Sequence, residues 1–252
     1  DQGESSAEIY LMRANARHLL GDVSALDDLN QAINLGTEDT LAYTLRASIR
    51  LKQKETGSAL QDLNKAMQLG ADNAEIYLQR GKAYLAEKQP EKALVDFDKA
   101  IARKTRFAEA YLEKGIALYE LKEQTEAVQN LQQASDMGVS DLRLYQYLGF
   151  AKFEISEFET AEKNLSEAIR MGLTDTRVFL YRGEIYYYQQ NYRDALADLS
   201  KAMSMGANTQ KVFELSGYTN AALANYDRAI SDLTQAVDKG ASVAKVYSDR
   251  GN

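Results

Sequence analysis

The side chains that perform most acid–base, nucleophilic and metal chemistry are scarce in this chain. It contains one histidine, His18, and no cysteine among 252 residues. These counts exclude disulfides, thiolate nucleophiles, cysteine-ligated zinc and sites built from a pair of histidines. Acidic residues are plentiful on predicted solvated helix faces, but no pair of carboxylates is set against a nucleophile or a Gly-rich phosphate loop. The sequence therefore predicts a protein that is not an enzyme and has no cofactor and no metal site.

Recognition chemistry is better represented, because the chain carries 16 tyrosines. Tyrosine buries a large apolar area with few rotatable bonds and keeps a polar tip, so it suits contact with another molecule. A net charge of −7, from 30 basic and 37 acidic residues, disfavours nucleic acid as that molecule. No apolar run approaches the roughly 18 residues that a transmembrane helix needs. We therefore expect no nucleic-acid partner and no integral membrane span.

The elements that must position these tyrosines recur with a period of about 34 residues. In the second helix of each repeat, two alanine series flank a large apolar residue at offsets of four and three, which places all three series on one helix face. The first alanines are Ala25, Ala59, Ala93, Ala127, Ala161, Ala195 and Ala229; the large residues are Leu29, Leu63, Phe97, Leu131, Leu165, Leu199 and Leu233; the second alanines are Ala32, Ala66, Ala100, Ala134, Ala168, Ala202 and Ala236.

The first helix of each repeat has an aromatic residue followed four positions later by Gly or Ala, which lets another helix approach closely. The aromatic residues are Tyr10, Tyr43, Tyr77, Tyr111, Tyr145, Phe179, Phe213 and Tyr247, and the small residues are Ala14, Ala47, Gly81, Gly115, Gly149, Gly183, Gly217 and Gly251. The single proline, Pro90, indicates an almost entirely helical fold and falls in the first turn of a second helix, where its missing N–H costs nothing.

This order of residue types, recurring at that period, resembles the tetratricopeptide repeat family. The resemblance covers about residues 7–252 and implies an all-α, right-handed superhelical solenoid of antiparallel helix pairs, in which neighbouring repeats bury each other's apolar faces. The predicted organisation is a disordered stretch at 1–6, seven repeats at 7–39, 40–73, 74–107, 108–141, 142–175, 176–209 and 210–243, and the start of an eighth repeat or a solvating helix at 244–252.

The turn after each second helix carries glycine where the family usually has proline. The glycines are Gly36, Gly70, Gly138, Gly172, Gly206 and Gly240. Glycine at this place predicts a left-handed residue that closes the preceding helix. Lys104 interrupts the series, so the turn at 104–107 is predicted to differ.

Acidic and basic residues also follow the repeat. Four of the five aspartates that precede the large apolar residue of the second helices are followed, eighteen residues later in the first helix of the next repeat, by a base. The four aspartates are Asp28, Asp62, Asp96 and Asp232, and the bases are Arg46, Arg80, Lys114 and Arg250, whereas Asp198 is followed by Ser216. We hypothesise a ladder of ion pairs between neighbouring repeats. The alternative is that both positions are merely solvated, in which case they contribute little to stability.

The resemblance further implies that the first helices line a concave groove that binds a segment of another protein. Their positions outside the aromatic and glycine series form an aromatic stripe from the fourth to the seventh repeat, bordered by Arg and Lys, which suits an apolar or amphipathic segment. The candidate partner-binding residues are Leu78, Lys82, Leu112, Ile116, Tyr119, Arg143, Tyr147, Phe150, Arg177, Tyr181, Glu184, Tyr187, Lys211 and Tyr218, with Phe153, Glu214 and Leu215 in the same set of positions. The alternative is that these side chains are inter-helix core.

Two other functions fit the sequence. One is a structural co-assembly subunit of a larger complex, such as an envelope complex, or an oligomer, with Tyr247 and Gly251 of the incomplete eighth repeat as a stacking surface. The other is an exported protein that associates with glycan or peptidoglycan. The absence of Cys and a first residue other than Met favour an exported bacterial protein, periplasmic or lipoprotein-anchored, over a cytoplasmic one. The family's carboxylate clamp for acidic tails is matched only at Asn15, so that ligand is not expected.

Overall fold

Every regular element that the structure describes is an α-helix. In a computed structural model, which describes residues 2–241, that range contains fourteen α-helices joined by short turns and no β-strand. The helices are α1 (Gln2–Leu19), α2 (Ala25–Asn34), α3 (Thr40–Lys52), α4 (Thr56–Gln68), α5 (Ala74–Ala86), α6 (Pro90–Arg103), α7 (Ala108–Glu120), α8 (Gln124–Asp136), α9 (Leu142–Glu154), α10 (Phe158–Arg170), α11 (Thr176–Tyr188), α12 (Tyr192–Ser204), α13 (Gln210–Ala222) and α14 (Tyr226–Asp238).

Each of the seven predicted repeats contains one helix pair, with the odd-numbered helix first. The chain is helical from Gln2, inside the stretch at 1–6 for which the sequence predicts disorder. Pro90 is the first residue of α6, as predicted. Tyr247, Arg250 and Gly251, on which the predicted eighth repeat depends, lie outside the described residues.

The chain divides into two compact units, one ending at Val139 and the other beginning at Ser140. Within each unit a second helix packs on the first helix of its own repeat and on the first helix of the next repeat. The alanine and leucine series of the second helices are buried in this packing, as at Leu63 and Leu165. First helices of neighbouring repeats also contact each other within a unit. They therefore form one continuous surface in each unit, here called the first-helix face.

The small residue on the first helix is required by the second helix of the same repeat. A Cβ atom added to Gly149 would lie 2.5 Å from Cδ2 of Leu165, and one added to Gly81 would lie 2.5 Å from Cε1 of Phe97. The predicted close approach of the two helices is confirmed. At Gly183 the nearest atom, Cγ of Leu199, would be 3.1 Å away, so this pair is less tightly packed.

The turns after the second helices have the predicted backbone. Gly70 and Gly206 both have a φ of +98°, and the other glycines of the series are also left-handed. Lys104 has a φ of −144°, so the turn that lacks glycine differs, as predicted. The turns inside the repeats are left-handed as well, although they use non-glycine residues. These residues are Lys54, Lys88, Lys122, Ser156, Gln190 and Ala224.

Within the described residues, the hypothesis of a ladder of aspartate–arginine and aspartate–lysine pairs between repeats is wrong. Arg46 and Arg80 bind the aspartate of their own repeat, and Lys114 contacts Asp98 instead of Asp96. Arg80 Nε donates to Oδ2 of Asp96 at 2.7 Å, and its Nη2 donates to Oδ1 at 2.8 Å. This planar two-point contact is the geometry in which Arg binds a carboxylate most strongly. Arg46 with Asp62 and Arg182 with Asp198 repeat the arrangement.

The same arginines do reach the preceding repeat, but through their third nitrogen and a neutral acceptor. Arg80 Nη1 donates to Oδ1 of Asn64 at 3.0 Å, and Arg182 Nη1 donates to Oγ of Ser166 at 3.0 Å. Lys114, which cannot form a fork, binds Asp98 of the preceding repeat at 2.7 Å. For these arginines the buried charge is thus neutralised within one repeat, and the link to the preceding repeat is a hydrogen bond to a neutral group.

Candidate functional site

Four of the five candidate residues in the unit that ends at Val139 are buried. These are Leu78, Leu112, Ile116 and Tyr119. Their expected place on a binding surface is corrected here, because the helices of the unit pack over them. Lys82 is half-buried, and its Nζ lies 2.8 Å from Oε1 of Glu109 on the next first helix.

In the unit that begins at Ser140, Phe150 is also fully buried and belongs to the core rather than to the surface. Two more accessible rings pack against the ring of Phe150. Its ring centroid is 5.0 Å from that of Tyr181 and 6.3 Å from that of Tyr147, both edge to face. Tyr181 in turn stacks on Phe153 at 4.6 Å with an interplanar angle of 14°. Phe150 therefore supports the predicted aromatic stripe instead of contacting a ligand.

The ring contacts continue from Phe153 through the start of two second helices. Phe153 lies 5.6 Å from Phe158, and Phe158 stacks on Tyr188 at 5.5 Å. Tyr187 contacts both Tyr188, at 5.9 Å, and Tyr192, at 5.8 Å. Edge and offset contacts at these distances stabilise ring pairs beyond their buried area. The tyrosines are thereby held in a fixed arrangement.

The basic border of the stripe is neutralised by nearby carboxylates. Arg143 lies 2.9 Å from Asp141, and Arg177 lies 2.6 Å from Asp175 while its guanidinium covers the ring of Phe150 at 4.9 Å. Because each of these arginines has an acid beside it, the border does not present an uncompensated positive field to a ligand.

A cleft of about 940 Å³ opens on the first-helix face between α11, the start of α12 and α13. We call it the tyrosine cleft. Its lining residues are Glu184, Tyr187, Tyr188, Tyr192, Lys211, Glu214, Leu215, Tyr218, Ala221 and Ala222. The structure thus brings together four candidate residues, Glu184, Tyr187, Lys211 and Tyr218, with Glu214 and Leu215 of the same set.

Sequence reasoning missed four of the cleft residues, Tyr188, Tyr192, Ala221 and Ala222. A signal for two of them exists, because residues 186–192 contain four tyrosines. Tyr188 is 56% exposed although it is stacked on one face. Ala221 and Ala222, with short side chains at the end of α13, leave room opposite these rings.

Glu184 is the most buried charged group of the tyrosine cleft, with 6% of the residue exposed. Its Oε1 accepts a hydrogen bond from the Tyr188 hydroxyl at 3.2 Å, and Lys211 Nζ lies 2.7 Å from Oε2. Glu214 Oε1 accepts from Nε2 of Gln210 at 2.9 Å. Burial, together with the negative charge of Glu184, raises the pKa of Tyr188, so this hydroxyl stays protonated and continues to donate.

The two positions of Glu184 and Lys211 in the repeat are also in contact in other repeats, where different residue types occupy them. The two residues lie 27 positions apart, as do Lys82 and Glu109 in the other unit. The lysine is on the earlier repeat in one pair and on the later repeat in the other. Phe150 and Arg177 occupy the same two positions with a cation over a ring. In all three pairs, two residues that lie 27 positions apart join adjacent first helices.

The described part of the chain contains no group of three or more His, Asp or Glu placed to hold a metal ion. Across residues 2–241, each helix is too short or too polar to cross a membrane.

A family model for the tetratricopeptide repeat matches residues 78–138. Three solved structures share the fold at 20% sequence identity. A tetratricopeptide repeat protein from Parabacteroides merdae gives a TM-score of 0.60 over 97% of each chain. YrrB, described as a TPR protein with an unusual peptide-binding site, gives 0.64 over 75% of this chain and 98% of its own. PilF of Pseudomonas aeruginosa gives 0.66 over 84% and 96%.

Comparison with curated protein sequences gave no match. The evidence for the family is therefore the recurring signature of aromatic, small and large apolar residues, the family match over residues 78–138 and the shared all-α solenoid fold of stacked helix pairs. Residues 78–138 thus match the tetratricopeptide repeat, and the chain as a whole has the fold of tetratricopeptide repeat proteins.

Proposed function

We propose that the protein is a non-enzymatic scaffold that binds an apolar or amphipathic segment of another protein on its first-helix face. The observation that carries this proposal is the tyrosine cleft, an open volume of about 940 Å³ walled by fixed aromatic rings. Clefts of this volume that combine aromatic walls with a few convergent polar groups are typical binding sites. The peptide-binding site ascribed to YrrB supports a peptide as the ligand of this fold.

The rings of the tyrosine cleft suit a binding anchor because contacts with neighbouring rings restrict their rotamers before a ligand binds. Tyr187 is in contact with Tyr188 and Tyr192, so ligand binding need not order it. Interfaces gain affinity when side chains are fixed in advance in this way. Exposed tyrosine also contributes strongly once a partner excludes water from it.

The test compares capture of partners from the source organism's lysate by the wild-type protein and by Tyr188→Ala/Tyr192→Ala. The matched control is Tyr226→Ala, because Tyr226 occupies in the seventh repeat the position of Tyr192 in the sixth, is exposed and lies outside the cleft. We expect a partner that is retained by wild type and control and lost from the double variant, with equal helicity by circular dichroism. Equal retention by all three proteins would refute the cleft as the binding site.

A second function, co-assembly through the first repeat, is favoured by one comparison between repeats. Ile9 is 63% exposed, whereas the equivalent residues of later repeats are at most 1% exposed. Those residues are Ala42, Ile76, Ala110, Leu144, Val178 and Val212. Within each unit, the second helix of the preceding repeat packs on the first helix of the repeat that follows it. An amphipathic partner helix on Ile9 would complete the same interface.

Light scattering after size exclusion tests this second function. Leu20 is an exposed apolar residue of the same repeat as Ile9, and Val95 on α6 is an exposed apolar residue of another repeat. We expect Ile9→Glu/Leu20→Glu to lower the mass of any assembly, while Val95→Glu leaves it unchanged. An unchanged mass in the double variant would exclude the first repeat as the interface.

A further inference from the structure

Glu184 is a buried carboxylate whose ion-pair partner is half-exposed. Oε1 accepts a hydrogen bond from the Tyr188 hydroxyl, and Oε2 lies 2.7 Å from Nζ of Lys211. A buried carboxylate oxygen is stabilised when a donor or a cation contacts it. Because Glu184 lines the tyrosine cleft, a basic group of a ligand entering the cleft can take the place of Lys211.

A basic group of a ligand can displace Lys211 from Glu184. Its side chain is 52% exposed, and half-exposed lysine–carboxylate pairs hold their geometry weakly. The same ammonium lies 5.8 Å from the ring centroid of Phe153, which offers it a second favourable contact. The ammonium of Lys211 therefore keeps a favourable contact when it is displaced from Glu184.

The remaining walls of the tyrosine cleft favour a cation over an anion. The lining carries two carboxylates, Glu184 and Glu214, against the single ammonium of Lys211. The rings of Tyr188 and Tyr192 border the same volume, and the faces of aromatic rings attract cations. An acidic side chain would meet the like charge of Glu214 whether or not it contacted Lys211.

We infer that the tyrosine cleft recognises a basic side chain, Lys or Arg, in the partner segment. The basic group binds Oε2 of Glu184 and displaces Lys211 toward Phe153, while the adjoining part of the segment packs on the tyrosines. This inference rests on the proposed function and names the chemistry of its ligand. Lys211 is then an internal competitor of the ligand, which gives two neighbouring substitutions opposite expected effects.

The experiment uses a library of short peptides randomised at every position and immobilised protein. The proteins are wild type, Glu184→Gln, Lys211→Gln and the Tyr188→Ala/Tyr192→Ala variant, each checked for helicity. The readout is the frequency of Lys and Arg in the retained peptides relative to the input. We expect roughly two- to fivefold enrichment for wild type, the range of an exposed cation–ring contact. Enrichment should rise in Lys211→Gln and fall well below the wild-type value in Glu184→Gln, where the rings remain but the carboxylate is absent.

Each other outcome overturns a defined part of the reasoning. Enrichment of Asp and Glu that is lost in Lys211→Gln would mean that the lysine binds the ligand, and unchanged Lys and Arg enrichment in Glu184→Gln would remove the carboxylate from recognition. Either result refutes the inference and leaves the proposed function intact. Retention by wild type no greater than by the double tyrosine variant would instead refute the proposed function.

Discussion

Asp96 is a charged group with almost no access to water, since only 1% of the residue is exposed and Arg80 covers it through two hydrogen bonds. The contact also raises the pKa of Arg80 through its hydrogen bond to Asp96. Taking both charges out of water is costly, so the pair adds little net stability, but either partner alone would be strongly unfavourable.

Arg80→Met is therefore expected to lower the free energy of unfolding by about 3–5 kcal/mol, because it leaves the Asp96 carboxylate buried without a partner. Arg80→Met/Asp96→Leu should recover most of this loss. Urea denaturation followed by circular dichroism measures both variants. If the free energy of unfolding fell no further in the single variant than in the double variant, the Asp96 carboxylate would be stable in the core without a partner, contrary to this prediction.

Asp28 also binds arginine, and this interaction makes the stability of the protein depend on pH. The hydrogen bond from Arg13, aided by the charge of Arg17, holds the pKa of Asp28 below its usual value. A lowered pKa contributes stability above about pH 4, the unfolded value, and this contribution is lost as the pH falls through the folded pKa. Asp28→Asn should thus lower the melting temperature more at pH 7 than at pH 3. An equal drop at both pH values would contradict this account.

The periodic spacing of acids and bases explains why sequence reasoning chose the wrong partner. In a repeating pattern, a base that follows one aspartate at a fixed distance also precedes the next aspartate at a fixed distance. Arg80 follows Asp62 and precedes Asp96, so both pairings have the same regularity. Only the packing of α5 on α6 selects Asp96. The residue types were predictable, and the partner was not.

The distance between the two helices of a repeat depends on the size of the residue at the small-residue position of the first helix. Gly149 meets Leu165 almost without clearance, whereas Gly183 leaves more room beside Leu199. Alanine is the better helix former, by about 0.5–1 kcal/mol over glycine. The outcome of a Gly→Ala change therefore depends on whether the helices can separate.

Gly149→Ala is expected to destabilise the protein by about 1–3 kcal/mol, the usual cost of overpacking. Gly183→Ala should be nearly neutral, because the helix propensity of alanine offsets a smaller clash. Thermal unfolding of the two variants side by side measures the difference. A greater loss in Gly183→Ala would contradict the packing described for these pairs.

The helices and their turns were the most predictable elements. The repeat period and the chemistry of proline and glycine predicted Pro90 in the first turn of α6 and a different turn at Lys104. The left-handed turns at Lys88 and Lys122 were not predicted, because no residue type there requires positive φ. In these turns the packing of the flanking helices imposes a conformation that the residues disfavour locally.

Across the whole molecule, each repeat is stabilised by its neighbours, so damage should remain local. The prediction is that Gly149→Ala raises amide hydrogen exchange in α9 and α10 and their adjacent helices, while α3 and α4 keep wild-type protection. Exchange measured by mass spectrometry resolves these segments. Uniformly raised exchange over residues 2–241 would instead show one cooperative unit.

The tyrosine cleft was only partly predictable at this scale. Glu184 and Lys211 follow from the positions of first helices, but Tyr192 begins a second helix, and the sequence pattern gave such residues no part in the binding surface. Burial was the other gap. Leu78 and Phe150 have the same apolar character as exposed groove residues, and only the depth of packing separates core from surface.

The forked contact of Arg46, Arg80 and Arg182 has a consequence for how such an array can change its length. Each arginine neutralises an aspartate of its own repeat and needs from the preceding repeat only an oxygen acceptor, as Asn30, Asn64 and Ser166 supply. A duplicated or deleted repeat therefore keeps the partner of this buried aspartate. Had these forked ion pairs joined neighbours, every change of repeat number would leave an unmatched buried aspartate at the new junction. Neutralisation of this aspartate within the repeat lets gene duplication copy the repeat without stranding that charge.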